Sequence, residues 1–127
     1  MILQNRQSPI AQELGQIMAG LNARPEVQVA VLCTEDGLPV NMATAVATQL
    51  AAVTGFILAT IHQSFALLGL EEGNELLVQK KDGCLICRSF MAADLQLVLV
   101  VIFAQEVPYK RLLTQTIQRI KQSVESD

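Results

Sequence analysis

Apolar positions along this chain switch between two periods, and the switches mark out its elements. Ile10, Leu14, Ile17 and Leu21 recur at helical spacing behind Ser8-Pro9, a good N-cap followed by a residue suited to the first helical position. Gly20 and Asn22 loosen that helix, and Pro25 stops it. From Val27 to Cys33 the period becomes two, with Val27, Val29, Val31 and Cys33 on one face and Ala30 and Leu32 on the other. Asp36-Gly37 predicts a hairpin turn, because glycine accepts the positive φ such a turn demands. Leu38 to Met42 reads as the return strand, and Pro39, which cannot donate a ladder hydrogen bond, places it at a sheet edge.

From Ala43 to Leu70 the pattern predicts one long helix with two apolar faces. Val46, Leu50, Val53, Ile57, Ile61 and Leu68 form a stripe of large residues suited to packing on a sheet. Thr48, Ala52, Gly55, Ala59 and Ala66 form a stripe of small residues almost opposite, which would let a second helix approach closely. Such a helix needs two things to pack on: the sheet, and either the same helix of another copy or a neighbouring element of its own chain. Gly73 is read as its stop. Glu75 to Lys80 is a strand, Lys81-Asp82-Gly83 a second hairpin turn, and Cys84 to Phe90 the next strand. After a turn at 91–94, Leu95 to Phe103 is apolar on both sides of the pleat, the signature of a central strand covered on both faces. Pro108 opens a last helix whose apolar stripe runs through Leu112, Leu113, Ile117, Ile120 and Val124. The predicted fold is therefore α+β, an α/β sandwich in the order αββαβββα. It has five mostly antiparallel strands, the long helix on one face and the terminal helices on the other. One domain spans residues 1–127, with its core at 8–125.

Composition sharpens this picture. Hydrophobic residues make up 51% and charged residues 17%, a greasier balance than most soluble domains, so self-association is expected. The net charge is −3, and no basic run exceeds the pairs Lys80–Lys81 and Lys110–Arg111, which argues against nucleic acid as a partner. Gly37 to Leu70 carries no charge and is long enough to span a membrane. Its Thr, Gln, Ser and His residues and its acidic flanks, Glu35-Asp36 and Glu71-Glu72, favour a helix covered by protein. Three cysteines and no secretory pattern at the N-terminus point to a reduced, cytoplasmic setting.

Catalytic patterns are missing. There is no P-loop, no Gly-x-Ser-x-Gly and no Gly-x-Gly-x-x-Gly. His62 is the only histidine, and a hydrogen-bonded interface residue explains it better than a base or metal ligand. Cys84 and Cys87 have Cys-x-x-Cys spacing, but on a strand they point to opposite faces and cannot share a metal. Glu35-Asp36 and Glu71-Glu72 read as solvated turn and helix-end residues. Arg24, Arg88 and Arg119 could each be imagined as an arginine finger, with nothing to single one out. The expectation is a protein with no catalytic residues, metal or cofactor.

The stretch from Val27 to Val40, with its Asp-Gly-Leu-Pro turn, and the order of elements over residues 8–125 resemble roadblock / dynein light chain domains. The resemblance implies homodimers, or heterodimers with a paralogue, in which central helices pair and the third strands join edge to edge. Here that strand is Glu75, Leu76, Leu77, Val78, Gln79 and Lys80, and the helix contact is the small stripe. It also implies a non-catalytic regulator or scaffold of a small Ras-like GTPase, with Gln49, Thr60 and Gln63 as a candidate partner surface. A structural adaptor without effect on a GTPase is the alternative, and a small-molecule sensor a more distant one.

Overall fold

A computed structural model describes residues 9–40 and 44–125. Its elements are α1 (Pro9–Asn22), β1 (Val27–Thr34), α2 (Ala45–Leu68), β2 (Glu75–Lys80), β3 (Gly83–Ala92), β4 (Leu95–Phe103) and α3 (Lys110–Glu125). The N-cap expected at Ser8 lies outside the described residues.

Four strands, not five, form one antiparallel sheet in the order β1-β4-β3-β2. The return segment after Asp36-Gly37 makes the predicted turn but, among the described residues, contributes a single bridge, Cys33 to Pro39, and no ladder. Val40 N–H and Leu38 O make the bonds to β1, so the Pro39 nitrogen faces away from it, the edge position its missing donor allows. Asn41 and Met42 of the predicted strand lie outside the described residues. The central strand is β4, as its two-sided apolarity requires. Val98, Leu99, Val100 and Val101 are all fully buried, each contributing on the order of 1.5–3 kcal/mol of apolar burial.

Two clusters sandwich the sheet. On one face α1 and α3 bring Leu14, Leu21, Leu113 and Ile120 onto Leu32, Ile86, Leu97, Leu99 and Phe103. On the other, Ala47 and Ala51 of α2 lie over Val31, Cys33, Cys87, Val98 and Val100. The helices thus divide between the faces as the pattern predicts. Val27 departs from the predicted alternation: a register shift between Val27 and Val29 turns it to the α1/α3 side.

The long helix differs in rotation and length. It ends at Gly69, in the left-handed conformation (φ 69°), one turn before the predicted stop at Gly73. Thr44 caps its start, accepting the Ala47 amide at 3.1 Å. Its buried residues are Ala47, Ala51, Thr54 and Gly55, so small side chains meet the sheet. The expected sheet-facing stripe sits about a quarter turn away: Leu50 is half-buried, whereas Val46, Val53 and Leu68 are exposed. The cause is a close crossing. Gly55 packs on the turn after β1, where a Cβ would lie 2.8 Å from the Gly37 Cα. Ala47, Ala51 and Gly55, four residues apart, form the ladder that lets the helix come so near.

The outer edge of β1 is closed. Asn22, predicted only to loosen α1, donates from Nδ2 to the carbonyls of Met18 and Ala30 and accepts the Ala30 amide at Oδ1, each at 2.9 Å. The return segment continues the closure, with Val40 N–H donating to Leu32 O at 2.8 Å and Thr34 N–H to Leu38 O at 2.9 Å. The outer edge of β2 has no such cover among the described residues.

These contacts set opposite outcomes for two glycines. Gly55→Ala is expected to lower unfolding free energy by about 1–3 kcal/mol through overpacking against Gly37. Gly20→Ala, in α1 with open space around it, is expected to raise it by about 0.5–1 kcal/mol. Urea unfolding midpoints of the two variants check both.

Candidate functional site

Two adjoining surfaces are left without a partner among the described residues. The first is the β2 edge. Ser89 N–H donates to Asn74 O at 2.8 Å, which fixes the phase of the β2–β3 ladder. By alternation, residues 76, 78 and 80 bond β3, while Glu75, Leu77 and Gln79 turn their backbone groups outward. Every β2 residue except Leu76 is exposed. The strand is anchored from behind: Glu75 accepts from Arg88 Nε at 2.7 Å and Tyr109 Oη at 3.4 Å, and Arg88 also donates to Thr114 Oγ1 at 2.9 Å. Burial, with the Glu75 carboxylate next in weight, pushes the Tyr109 hydroxyl above its ordinary pKa, so it stays a donor.

The second surface is the outward side of α2, where Val46, Val53, Phe56, Leu67 and Leu68 are exposed, Phe56 to 72% and Leu67 to 88%. A patch of this kind on a folded chain marks a protein or membrane contact. Gln49, Thr60 and Gln63 all lie exposed on this outward side, where the expected partner surface was placed. Of the small stripe, Thr48, Ala52, Ala59 and Ala66 are exposed and flank the sheet-facing line. Gly55 is not available: its own chain's turn occupies it.

Beside α2 runs an open cleft of about 1040 Å³ between the helix and the far end of the sheet, with Glu35, Asp36, His62, Glu72, Ser89 and Gln96 among its lining. His62 Nδ1 contacts Glu72 Oε1, tying the helix to the loop before β2. Glu72, expected to be simply solvated, therefore has a partner across a cleft. The residue spacing carried no hint of this pairing, since the two are ten apart and separated by the helix end.

Other candidates resolve into structural roles. Cys84 belongs to the α1/α3 cluster and Cys87 to the α2 cluster, on opposite faces as the strand period requires. Burial pushes the Cys33 thiol up to about 12, with Cys87 nearby adding to it. Burial pushes Cys87 up to about 11, against a hydrogen bond with Thr54 that explains the one buried threonine of α2. Arg24 pairs with Glu26 and Arg88 with Glu75, while Arg119 lines a shallow hollow between α1 and α3. Among the described residues, no group of three or more His, Cys, Asp or Glu could hold a metal.

No family model matches the sequence, and no curated protein matches it. Solved structures do match. The gliding protein MglB of Thermus thermophilus superposes with a TM-score of 0.67 at 14% identity, covering 94% of this chain and 90% of that one. Myxococcus xanthus MglB gives 0.67 at 18% identity, with the same coverage. A Roadblock/LC7 domain from Streptomyces avermitilis gives 0.63 at 20% identity, over 84% of this chain and 91% of that one. The fold is thus that of a roadblock/LC7-like domain. MglB and the Streptomyces domain are its structural neighbours.

The two α2-side thiols set a pH dependence. From pH 9.0 to about 11 the unfolded chain releases thiol protons that the folded chain keeps, so stability falls as pH rises. The slope is about 1.4 kcal/mol per pH unit for each thiol, and the two contribute none below the unfolded value. Urea unfolding of wild type and Cys33→Ala/Cys87→Ala through this range checks it: the variant should lose stability less steeply.

Proposed function

We propose that the protein is a non-catalytic, dimeric regulator or scaffold that binds a small Ras-like GTPase. The observation that carries this reading is the open β2 edge lying next to an uncovered apolar helix while the opposite sheet edge is closed. A stable monomer has no reason to close one edge and leave the other bare.

A second copy fits both surfaces. Antiparallel pairing of two β2 strands about Leu77 sets Glu75 of each opposite Gln79 of the other and lets the outward backbone groups bond. Charge selects that orientation. Glu71-Glu72 precede the strand and Lys80–Lys81 follow it, so an antiparallel pair brings unlike charges together and a parallel pair like ones. Each exposed pair is worth at most about 1 kcal/mol, enough to set register but not to hold the dimer. The affinity comes from α2, whose exposed valines and leucines become covered. A close paralogue with the same edge would serve equally, and a tetrameric arrangement has been described for MglB.

The GTPase rests on the roadblock-like fold, on the implication drawn from the resemblance, and on the polar positions Gln49, Thr60 and Gln63 within the outward face of α2. The cytoplasm is the setting this implies. In length and composition α2 could cross a membrane, with 17% of its most apolar window buried in the chain. Yet it is packed on a sheet with an open edge, and unpaired backbone groups are not tolerated in lipid. A protein surface is the better cover.

Light scattering should find a dimer at micromolar concentration. Leu77→Pro removes one outward donor while sparing the ladder to β3, and it should weaken that dimer by about tenfold or more with β-sheet content retained. A monomeric wild type would sink the dimer. For the partner, pull-down with Ras-like GTPases locked in GDP and GTP states should retain one state preferentially; retention of neither would remove the GTPase from the reading.

A further inference from the structure

We propose that the cleft beside α2 receives a basic, chain-extended segment of a protein partner, with Arg or Lys heads at its rim and their aliphatic stems along its floor. This goes beyond the GTPase reading and does not need the partner to be one. The cleft lies along the later part of α2, which passes beside Leu76 of β2 after its packing on β1. On the Ala59 flank, half-buried Ser89 and Gln96 line it from the sheet side.

The chemistry of the walls identifies the occupant. Three carboxylates line the cleft, Glu35 and Asp36 without an ion-pair partner shown there and Glu72 in contact with His62, and among the described residues no Lys or Arg does, although the chain has 9 basic residues against 12 acidic. The carboxylates enter from both ends of the charge-free stretch, Glu35-Asp36 from the turn after β1 and Glu72 from the loop before β2. The carboxylates are thus contributed by two separate segments at the rim. Between them the lining is apolar, at Leu58 and Ala59. The Phe56 ring, 72% exposed at the mouth, can take a guanidinium on its face. Carboxylate rim, apolar floor and exposed ring match the amphipathic side chains of Arg and Lys, which lay their stems on apolar surface and keep their heads at the edge. Ser89 and Gln96 add hydrogen-bonding groups on the sheet side. An acidic peptide or an anionic lipid surface would meet like charge here.

Fluorescence anisotropy on the full chain tests this with a short labelled peptide of alternating Arg and Leu and its Glu–Leu counterpart. The Arg–Leu peptide should bind, more weakly as salt is added, and the Glu–Leu peptide should not. Glu35→Lys and Glu72→Lys should each weaken binding by about tenfold. Glu106→Lys carries the same charge change outside the cleft and should stay within about twofold of wild type. Phe56→Ala, which leaves the charges in place, should also weaken it. No binding of the Arg–Leu peptide overturns the proposal. So does an equal loss in Glu106→Lys, which would reduce the effect to general attraction toward an acidic protein. If raising the protein's own concentration displaces the peptide, a second copy fills the cleft and the proposal fails. Oligomeric state, followed separately by light scattering, keeps this outcome distinct from failure of the dimer.

Discussion

The structure turns on how the two edges of one four-stranded sheet are finished. A strand edge is a row of donors and acceptors that must be bonded, and here the two rows are treated oppositely. At β1 the Asn22 amide bonds Ala30 in the manner of a neighbouring strand, and residues 38–40 bond Leu32 and Thr34. At β2 the outward groups of Glu75, Leu77 and Gln79 have no strand beside them among the described residues. The Arg88 and Tyr109 contacts to Glu75 tie the start of β2 to β3 and α3. A firmly held, unpaired edge is a template, whereas a loosely held one would only be a liability.

The same asymmetry governs α2. A helix that packed large residues on the sheet would stand farther from it and hide most of its apolar surface. The Ala47, Ala51 and Gly55 ladder does the reverse, drawing the helix close to β1 and committing only small side chains to the internal contact. The large residues are thereby released outward. The exposed helix face follows from that choice of small residues.

Much of this was legible in the chain. The two-sided apolarity of Leu95–Phe103 placed it at the centre, and the stripes of the terminal helices assigned them to one face. Elements whose pattern is decided by burial alone read correctly. Rotation of α2 did not, because nearly every side of it is apolar and periodicity then has no contrast to report. The decisive signal was volume and not hydrophobicity: the residues spaced by four that face the sheet are the small ones. The fifth strand failed for a different reason. Its apolar residues fit a strand, but among the described residues the pairing with β1 stops at the one bridge at Pro39. The capping by Asn22 and the His62–Glu72 contact are meetings across sequence gaps that no local pattern encodes.

Charge completes the logic. From Gly37 to Leu70 there is none, so the helix face has affinity for apolar surfaces but little power to choose among them. The charges that could choose are displaced to the borders of that stretch, at Glu35-Asp36, at Glu71-Glu72 and, beyond β2, at Lys80–Lys81. Buried apolar area supplies strength without direction, while rim charges supply orientation and discrimination at little net energy. Separating the two along the chain lets one uncharged helix stay adhesive while the rims decide what may approach and in which direction. The acidic borders, exposed in a turn and at a helix end as their positions predict, are the charges that the proposed docking would use for that choice.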